Sequence, residues 1–184
     1  SRFLEKFIED IDLKDVTLLG NSLGGHVGLI YTRNNPALVK TLILTGSSGL
    51  YEKAMGSTFP RREDYNYIKE KTQDVFYDPA IATKELVDEV FDSVNSREKI
   101  IRILALAKSA IRHNMAKDLP NMNQATCLIW GKDDSVTPPE VAEEFHKLLP
   151  NSELHWFDKC GHAPMMEHPV DFANTCVKWL NKNK

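Results

Sequence analysis

The 184-residue chain has little of what would assign it to the more easily recognised classes. Cysteine is scarce, and Cys127, Cys160 and Cys176 are odd in number and show no paired spacing. That excludes a disulfide framework and points to reduced, mostly buried thiols in a cytoplasmic protein. No Cys/His cluster has zinc-ligand spacing, so no metal is expected. Neither sign of charge dominates: 23 Lys and Arg stand against 26 Asp and Glu, a net −3. Such a balance gives no electrostatic footprint for nucleic acid. No apolar run approaches the ~20 residues that span a bilayer, and no signal-peptide pattern opens the sequence. The stretch from Gly49 to about Met122 lacks any β-type run. What remains is a globular chain long enough to bury one full core.

The segment that stands out is Gly20-Asn21-Ser22-Leu23-Gly24-Gly25, directly after the apolar run Val16-Thr17-Leu18-Leu19. A Gly-x-Ser-x-Gly between a strand and a helix makes a sharp turn, with its serine strained at the strand's carboxyl end. Side chains at Gly20 or Gly24 are expected to collide with neighbouring backbone. The following helix N-terminus favours developing negative charge at Ser22. Taken alone, the pentapeptide reads equally as a glycine-containing turn with an incidental serine. A serine hydroxyl is a weak nucleophile. It needs a histidine to take its proton and an acid to orient that histidine. Two later strand-like runs end in those residue types. Residues 126–130 lead into Gly131-Lys132-Asp133-Asp134-Ser135-Val136-Thr137-Pro138, and residues 153–157 into Asp158-Lys159-Cys160-Gly161-His162. In a parallel α/β sheet such loops share one edge, where ligands bind.

These motifs, in the order serine, acid, histidine and each after a strand, resemble the α/β-hydrolases of the esterase, haloperoxidase and carbon–carbon bond hydrolase group. The resemblance extends over the whole chain but spans only the C-terminal two thirds of that fold. It implies Ser22 as nucleophile, Asp134 as acid and His162 as base, with the Leu23 N–H as one oxyanion donor. Asp134 is preferred to Asp133 because the family pattern runs strand, Gly, two residues, Asp, then Val and Pro. Gly131, Asp134, Val136 and Pro138 fill those places. Asp133 is then a solvated loop acid. Some relatives take the acid after the preceding strand, but Thr45-Gly46-Ser47-Ser48 offers no carboxylate. The other histidines suit structural places. His26 lies on the helix after the turn, His113 and His146 on surface helices, His155 within a strand, and His168 before Pro169 near a helix start. Cys160 is expected to pack rather than react.

Periodicity lays out the rest. Phe3, Leu4, Phe7, Ile8 and Ile11 recur at helical spacing. Residues 16–19 read as a strand, 23–33 as a helix stopped by Asn34-Asn35-Pro36, and 39–44 as a buried strand. Strands return at 126–130 and 153–157. Between them Thr137 and Glu140 make a capping-box pattern, with Pro138 and Pro139 in the first turn. Pro169 opens a last helix that buries Ala173, Cys176, Val177 and Leu180. The expectation is an α/β fold: a parallel sheet with the last four strands of the hydrolase fold and an inserted helical cap. The core then takes residues 1–49 and 122–184, and the cap takes 50–121. Some seventy residues are too many for one crossover, which needs ~10–15. Helical spacing also recurs at 85–94 and in Ile100, Ile101, Leu104, Ala107 and Ile111. Met55, Phe59, Phe76 and Tyr77 are candidates to line a pocket over Ser22. Arg61 and Arg62 read as an anion contact or, more simply, as a solvated pair. No substrate-binding residue is assigned.

A complete member of the resembled family has four more strands and a helix before the first helix read here. They supply a loop whose N–H is the second oxyanion donor, and removing one such donor costs ~100–1,000-fold in turnover. The chain as given is therefore expected to be weak or inactive alone, with the outer edge of strand 16–19 exposed. The missing strands are expected from the rest of a longer protein, a second chain or self-association. The implied partner is a small-molecule acyl substrate, with no metal or organic cofactor, no nucleic acid and no membrane. Asn21 matches the Gly-Asn-Ser-x-Gly-Gly of hydrolases that cleave carbon–carbon bonds in ring-cleavage products. Ala163, where those enzymes carry tryptophan, and Val90, at the place of their cap arginine, favour a carboxylic ester instead. Ester hydrolysis is the first expectation and carbon–carbon hydrolysis the alternative. A non-catalytic binding module of the same fold is the third reading.

Overall fold

The computed structural model describes residues 2–51 and 61–183. The chain runs α1 (Arg2–Asp10), β1 (Val16–Asn21), α2 (Leu23–Asn34) and β2 (Val39–Thr45). Among the described residues three α-helices follow before the sheet resumes: α3 (Tyr65–Gln73), α4 (Lys84–Asn95) and α5 (Arg97–Arg112). Then come β3 (Ala125–Gly131), α6 (Pro139–Leu148), β4 (Ser152–Phe157), the short α7 (Pro164–Glu167) and α8 (Pro169–Lys182). The strands form one parallel sheet in the order β1-β2-β3-β4. This is the α/β sheet expected from the sequence.

Alternation along the strands divides the core into two layers. On one face, Leu42, Leu44, Leu128 and Trp130 meet Leu29 and Tyr31 of α2 and Val141 and Phe145 of α6. On the other, Ile43, Cys127 and Ile129 meet Phe172, Cys176 and Trp179 of α8. β2 and β3 are thus apolar on both sides, as central parallel strands flanked by helices must be. β1 lies at the sheet edge, and its Leu19, in register with Ile43, is 54% exposed. Of the periodic apolar residues in and just after α1, Ile8 is buried while Phe3, Phe7 and Ile11 are exposed.

The helices between β2 and β3 carry small apolar cores of their own. Ile68, Val94 and Ile100 form one, with Val90 and Phe91 packed against it. Phe76, Ala82 and Val87 form the other and reach the main body at Ala163. Side-chain caps start each helix: Asp64 accepts the Tyr67 N–H, Thr83 the Leu86 N–H and Ser96 the Lys99 N–H. Ser96 also ends α4, so α4 and α5 share one turn residue. No helix among the described residues is long and apolar enough to cross a membrane.

Candidate active site

Ser22 lies between β1 and α2 at φ 51° and ψ −123°. Few non-glycine residues adopt this left-handed region, and the surroundings must hold it. Here they do. The Ser22 N–H donates to Thr45 O (3.0 Å), and Ser22 O accepts from the N–H groups of His26 (3.2 Å) and Ser48 (3.1 Å). A Cβ on Gly20 would lie 2.5 Å from the carbonyl carbon of Gly24, so no side chain fits. The parallel expectation for Gly24 is corrected. Gly24 is exposed on the first turn of α2, and a Cβ there would meet nothing within 4 Å among the described residues. The second tight position is Gly25, whose Cβ would come 2.9 Å from that of Ser47. Leu23 opens α2, where a backbone N–H has no intrahelical partner and is free to face a ligand.

Asp134 is buried, whereas Asp133 beside it is exposed. Oδ1 of Asp134 accepts the N–H groups of Val136 (2.8 Å) and Thr137 (2.9 Å). Oδ2 accepts the Thr137 hydroxyl (2.8 Å) and His162 Nδ1–H (2.9 Å). These four bonds fill the acceptor capacity of a carboxylate. They also overturn the expected capping box. The Thr137 hydroxyl is committed to Asp134, Pro138 occupies the cap of α6, and no side chain caps that helix. His162 is 7% exposed. With its Nδ1–H donated to Asp134, a neutral imidazole keeps its lone pair on Nε2.

Asn21 joins the serine turn to the histidine loop. Its Nδ2 donates to His162 O (3.0 Å) and to Thr45 O (3.1 Å). The end of β2 closes in from the other side. Gly46 has φ +46°, and a Cβ there would lie 2.8 Å from His162 Nδ1. The structure therefore pairs Asp134 with His162 and ties the backbone beside Ser22 to that of His162. Among the described residues no hydrogen bond joins Ser22 Oγ to the imidazole. Sequence reasoning gave neither Thr137 nor Asn21 its place here. The readable signals were a threonine three residues after the aspartate and an amide immediately before the serine.

The remaining candidates stand apart. His26 is buried and donates from Nε2 to His113 O (2.8 Å). Burial lowers its pKa, the bond to the His113 carbonyl opposes that, and electrostatic repulsion from the His113 side and from the Arg33 guanidinium adds to the lowering. His113 ends α5, His146 bonds Ser152, His155 lies in β4, and His168 caps α8 while donating to Lys159 O. Cys160 is buried. Burial first, then the nearby Glu167 carboxylate, pushes its thiol up, which leaves it a poor nucleophile. Phe76 is packed in the cluster that holds Ala163, Tyr77 is 47% exposed, and Arg61 and Arg62 are exposed. Met55 and Phe59 lie outside the described residues. A cavity of about 490 Å³ between α3 and α4 is lined by Tyr65, Lys69, Lys84 and Val87 among others, and by none of Ser22, Asp134 and His162.

A model of the alpha/beta hydrolase family matches residues 1–175, and the chain belongs to that family. A 2-hydroxy-6-oxononadienedioate/2-hydroxy-6-oxononatrienedioate hydrolase of Cupriavidus pinatubonensis is 27% identical over 194 residues, covering 97% of this chain and 66% of that protein. The crystal structure of MGS-MChE2, an α/β-hydrolase enzyme from the metagenome of sediments of the Mar Chica lagoon, Morocco, is 46% identical with a TM-score of 0.76. It covers 98% of this chain and 68% of its own. The serine hydrolase CarC, involved in carbazole degradation, is 27% identical with a TM-score of 0.76, covering 98% and 69%. The chain spans about two thirds of the length of the curated relatives it matches.

Proposed function

We infer that this chain carries the triad of a serine hydrolase that cleaves a carbon–carbon bond next to a carbonyl in a ring-cleavage product. The observation that carries the triad is the buried His162 Nδ1–Asp134 Oδ2 bond of 2.9 Å, held against the Ser22 turn by Asn21. The substrate class rests on the curated relatives, several of which are named as 2-hydroxy-6-oxononadienedioate hydrolases, and on the Asn21 they were expected to share. This reverses the order of the two substrate expectations.

Ser22 Oγ attacks the carbonyl carbon while His162 Nε2 takes its proton, and Asp134 stabilises the imidazolium. The Leu23 N–H faces the oxyanion, and a second donor comes from outside the described residues. Collapse of the tetrahedral intermediate breaks the bond to the departing carbon. That carbon leaves only if its electron pair is delocalised, so the substrate must conjugate it to a second carbonyl. His162 returns the proton to the departing fragment, and water activated by His162 then frees the acyl group from Ser22. The helices α3–α5 form the lid over this site.

Ester cleavage by the same residues is the second reading, and two positions favour it. Ala163 is packed against Phe76 and Val87, and Val90 packs into the Ile68 cluster, where it offers no charge to a substrate carboxylate. The test uses the full-length protein on a 2-hydroxy-6-oxo-dienoate, followed by loss of dienoate absorbance, and on p-nitrophenyl esters. The first reading expects the dienoate to give the higher kcat/KM. Turnover of esters alone selects the second. Ligand binding without turnover, unchanged in Ser22→Ala, would identify a binding module.

A further inference from the structure

We propose that Glu167 is a positioning residue that latches the histidine loop to the helical insertion and so sets the aim of the His162 ring. The proposal rests on the reading of His162 as the base. Glu167 ends α7, one turn beyond His162, and is half-buried. Its two carboxylate oxygens point to two different parts of the chain. Oε1 accepts the N–H of Gly161 (2.7 Å), the residue immediately before His162. Oε2 accepts the N–H of Tyr77 (2.7 Å), in the segment that follows α3. Two backbone donors cannot satisfy one another, and a carboxylate between them makes two charge-assisted bonds, each about twice as strong as a neutral one.

Three further contacts make this a latch. The His162 N–H donates to Val75 O (2.9 Å), two residues before Tyr77. A Cβ on Gly161 would lie 2.5 Å from Val75 O and 2.9 Å from Tyr77 N, so the two segments touch backbone to backbone. The acid loop is tied to the same place, because the Ser135 hydroxyl donates to Asp74 O (2.7 Å). Residues 74–77 therefore form a common seat for the loops bearing Asp134 and His162. Asp134 fixes the ring of His162, and Asn21 fixes its carbonyl. Glu167 fixes the chain that enters it. Since a displacement of ~1 Å at a catalytic group costs about 100-fold, loosening this entry should slow turnover without weakening substrate binding.

The experiment compares Glu167→Gln and Glu167→Ala with the parent in the full-length protein. Rates on p-nitrophenyl acetate are normalised to sites titrated with a fluorophosphonate, and the downfield Nδ1–H proton of His162 is followed by NMR. The amide of the Gln variant keeps one acceptor and sets an NH2 against a donor. Its kcat per titrated site should fall about 10-fold, and that of the Ala variant about 100-fold, with KM within twofold and the His162 proton shifted or broadened. An unchanged kcat per site with an unmoved proton, whatever the melting temperature does, overturns the proposal. Hydrogen exchange on the unsubstituted protein covers variants that do not fold. Joint protection of the Gly161 and Tyr77 amides supports the latch, and free-peptide exchange at either overturns it. Ser22→Ala and His162→Ala serve as controls. If they retain turnover, the reading of the site fails and the latch with it. If they abolish turnover while the Glu167 variants do not slow it, the latch alone fails.

Discussion

Replacing Asp134 by Asn changes one atom and reverses the polarity of the contact with His162. The amide oxygen can keep the two backbone bonds, to Val136 and Thr137. The NH2 group then stands where Oδ2 accepts the Thr137 hydroxyl and the His162 Nδ1–H. The hydroxyl can rotate and accept instead. The imidazole escapes the donor–donor clash only by moving its proton to Nε2, and that nitrogen can then no longer take the proton of Ser22. In Ser-His-Asp enzymes this wrong tautomer costs ~10⁴-fold in turnover, which is about 5.4 kcal/mol at 1.36 kcal/mol per factor of ten. The stability loss is smaller: one hydrogen bond to a charged group, ~1.5–3 kcal/mol. A domain stable by ~5–15 kcal/mol stays folded after such a loss. A drop in rate at an intact melting transition therefore reports the tautomer. The assay is kcat/KM of the full-length protein on its best substrate, with Asp133→Asn measured beside it. Asp133 is exposed, and its substitution should leave the rate within about threefold, as for a surface change of ±0.5 kcal/mol. Activity of Asp134→Asn within tenfold of the parent, or a loss confined to Asp133→Asn, refutes the reasoning.

Three other outcomes are expected. Gly20→Ala should abolish folding of the serine turn, whereas Gly24→Ala should be neutral or raise stability by about 0.5–1 kcal/mol, because it removes a helical glycine from open space; urea midpoints of the two variants decide, and a destabilised Gly24→Ala refutes the contrast. Burial lowers the pKa of His26 from 6.5, so the stability tied to its neutral form is full above pH 6.5 and is lost as pH falls through the folded value. The drop in urea midpoint from pH 7.5 to 5 should therefore shrink in His26→Gln, and an equal drop refutes it. Burial pushes the Cys127 thiol up to about 12 and raises that of Cys160 as well, so iodoacetamide at pH 8 should label neither in the folded protein and both in urea, read by intact mass; labelling of either before unfolding refutes the assignment.

The sheet was legible because β2 and β3 are apolar on both faces, and a run buried twice needs no alternation to be seen. Their ends were read short. Thr45 and Gly131 take sheet bonds, yet Thr45 leads into the turn-like Gly46-Ser47-Ser48 and a glycine does not signal a strand. α3 escaped because it buries only Ile68 and Thr72, too few for a periodic stripe. Ser22, Asp134 and His162 stood out through motif and order. The role of Thr137 did not, since a Thr-x-x-Glu pattern fits a helix cap as well as it fits the turn around Asp134. Only the burial of Asp134 decides between them. Glu167 was beyond reach for a different reason. One of its partners is a backbone N–H ninety residues away, and a backbone donor leaves no mark on the sequence.

The division of labour in this chain follows from where its hydrogen bonds lie. Among the described residues, the bonds at the turn of Ser22, the carboxylate of Asp134 and the ring of His162 run between residues 21 and 162, and Glu167 adds its bond to Gly161 from just beyond. In the proposed mechanism the sheet ends and the seat at residues 74–77 hold the Asp134–His162 pair beside the Ser22 turn. Oxyanion stabilisation is not prepared to the same degree. The serine turn brings the Leu23 N–H by itself, because that residue opens α2, but an oxyanion needs a second donor aimed from another segment. On the proposed function, nucleophile activation and transition-state stabilisation would therefore draw on different segments. The first would rest on β1, β3 and β4 and the loops that follow them. The second would need a donor from another segment, and the sheet edge at β1 is open, with Leu19 exposed in register with the buried Ile43.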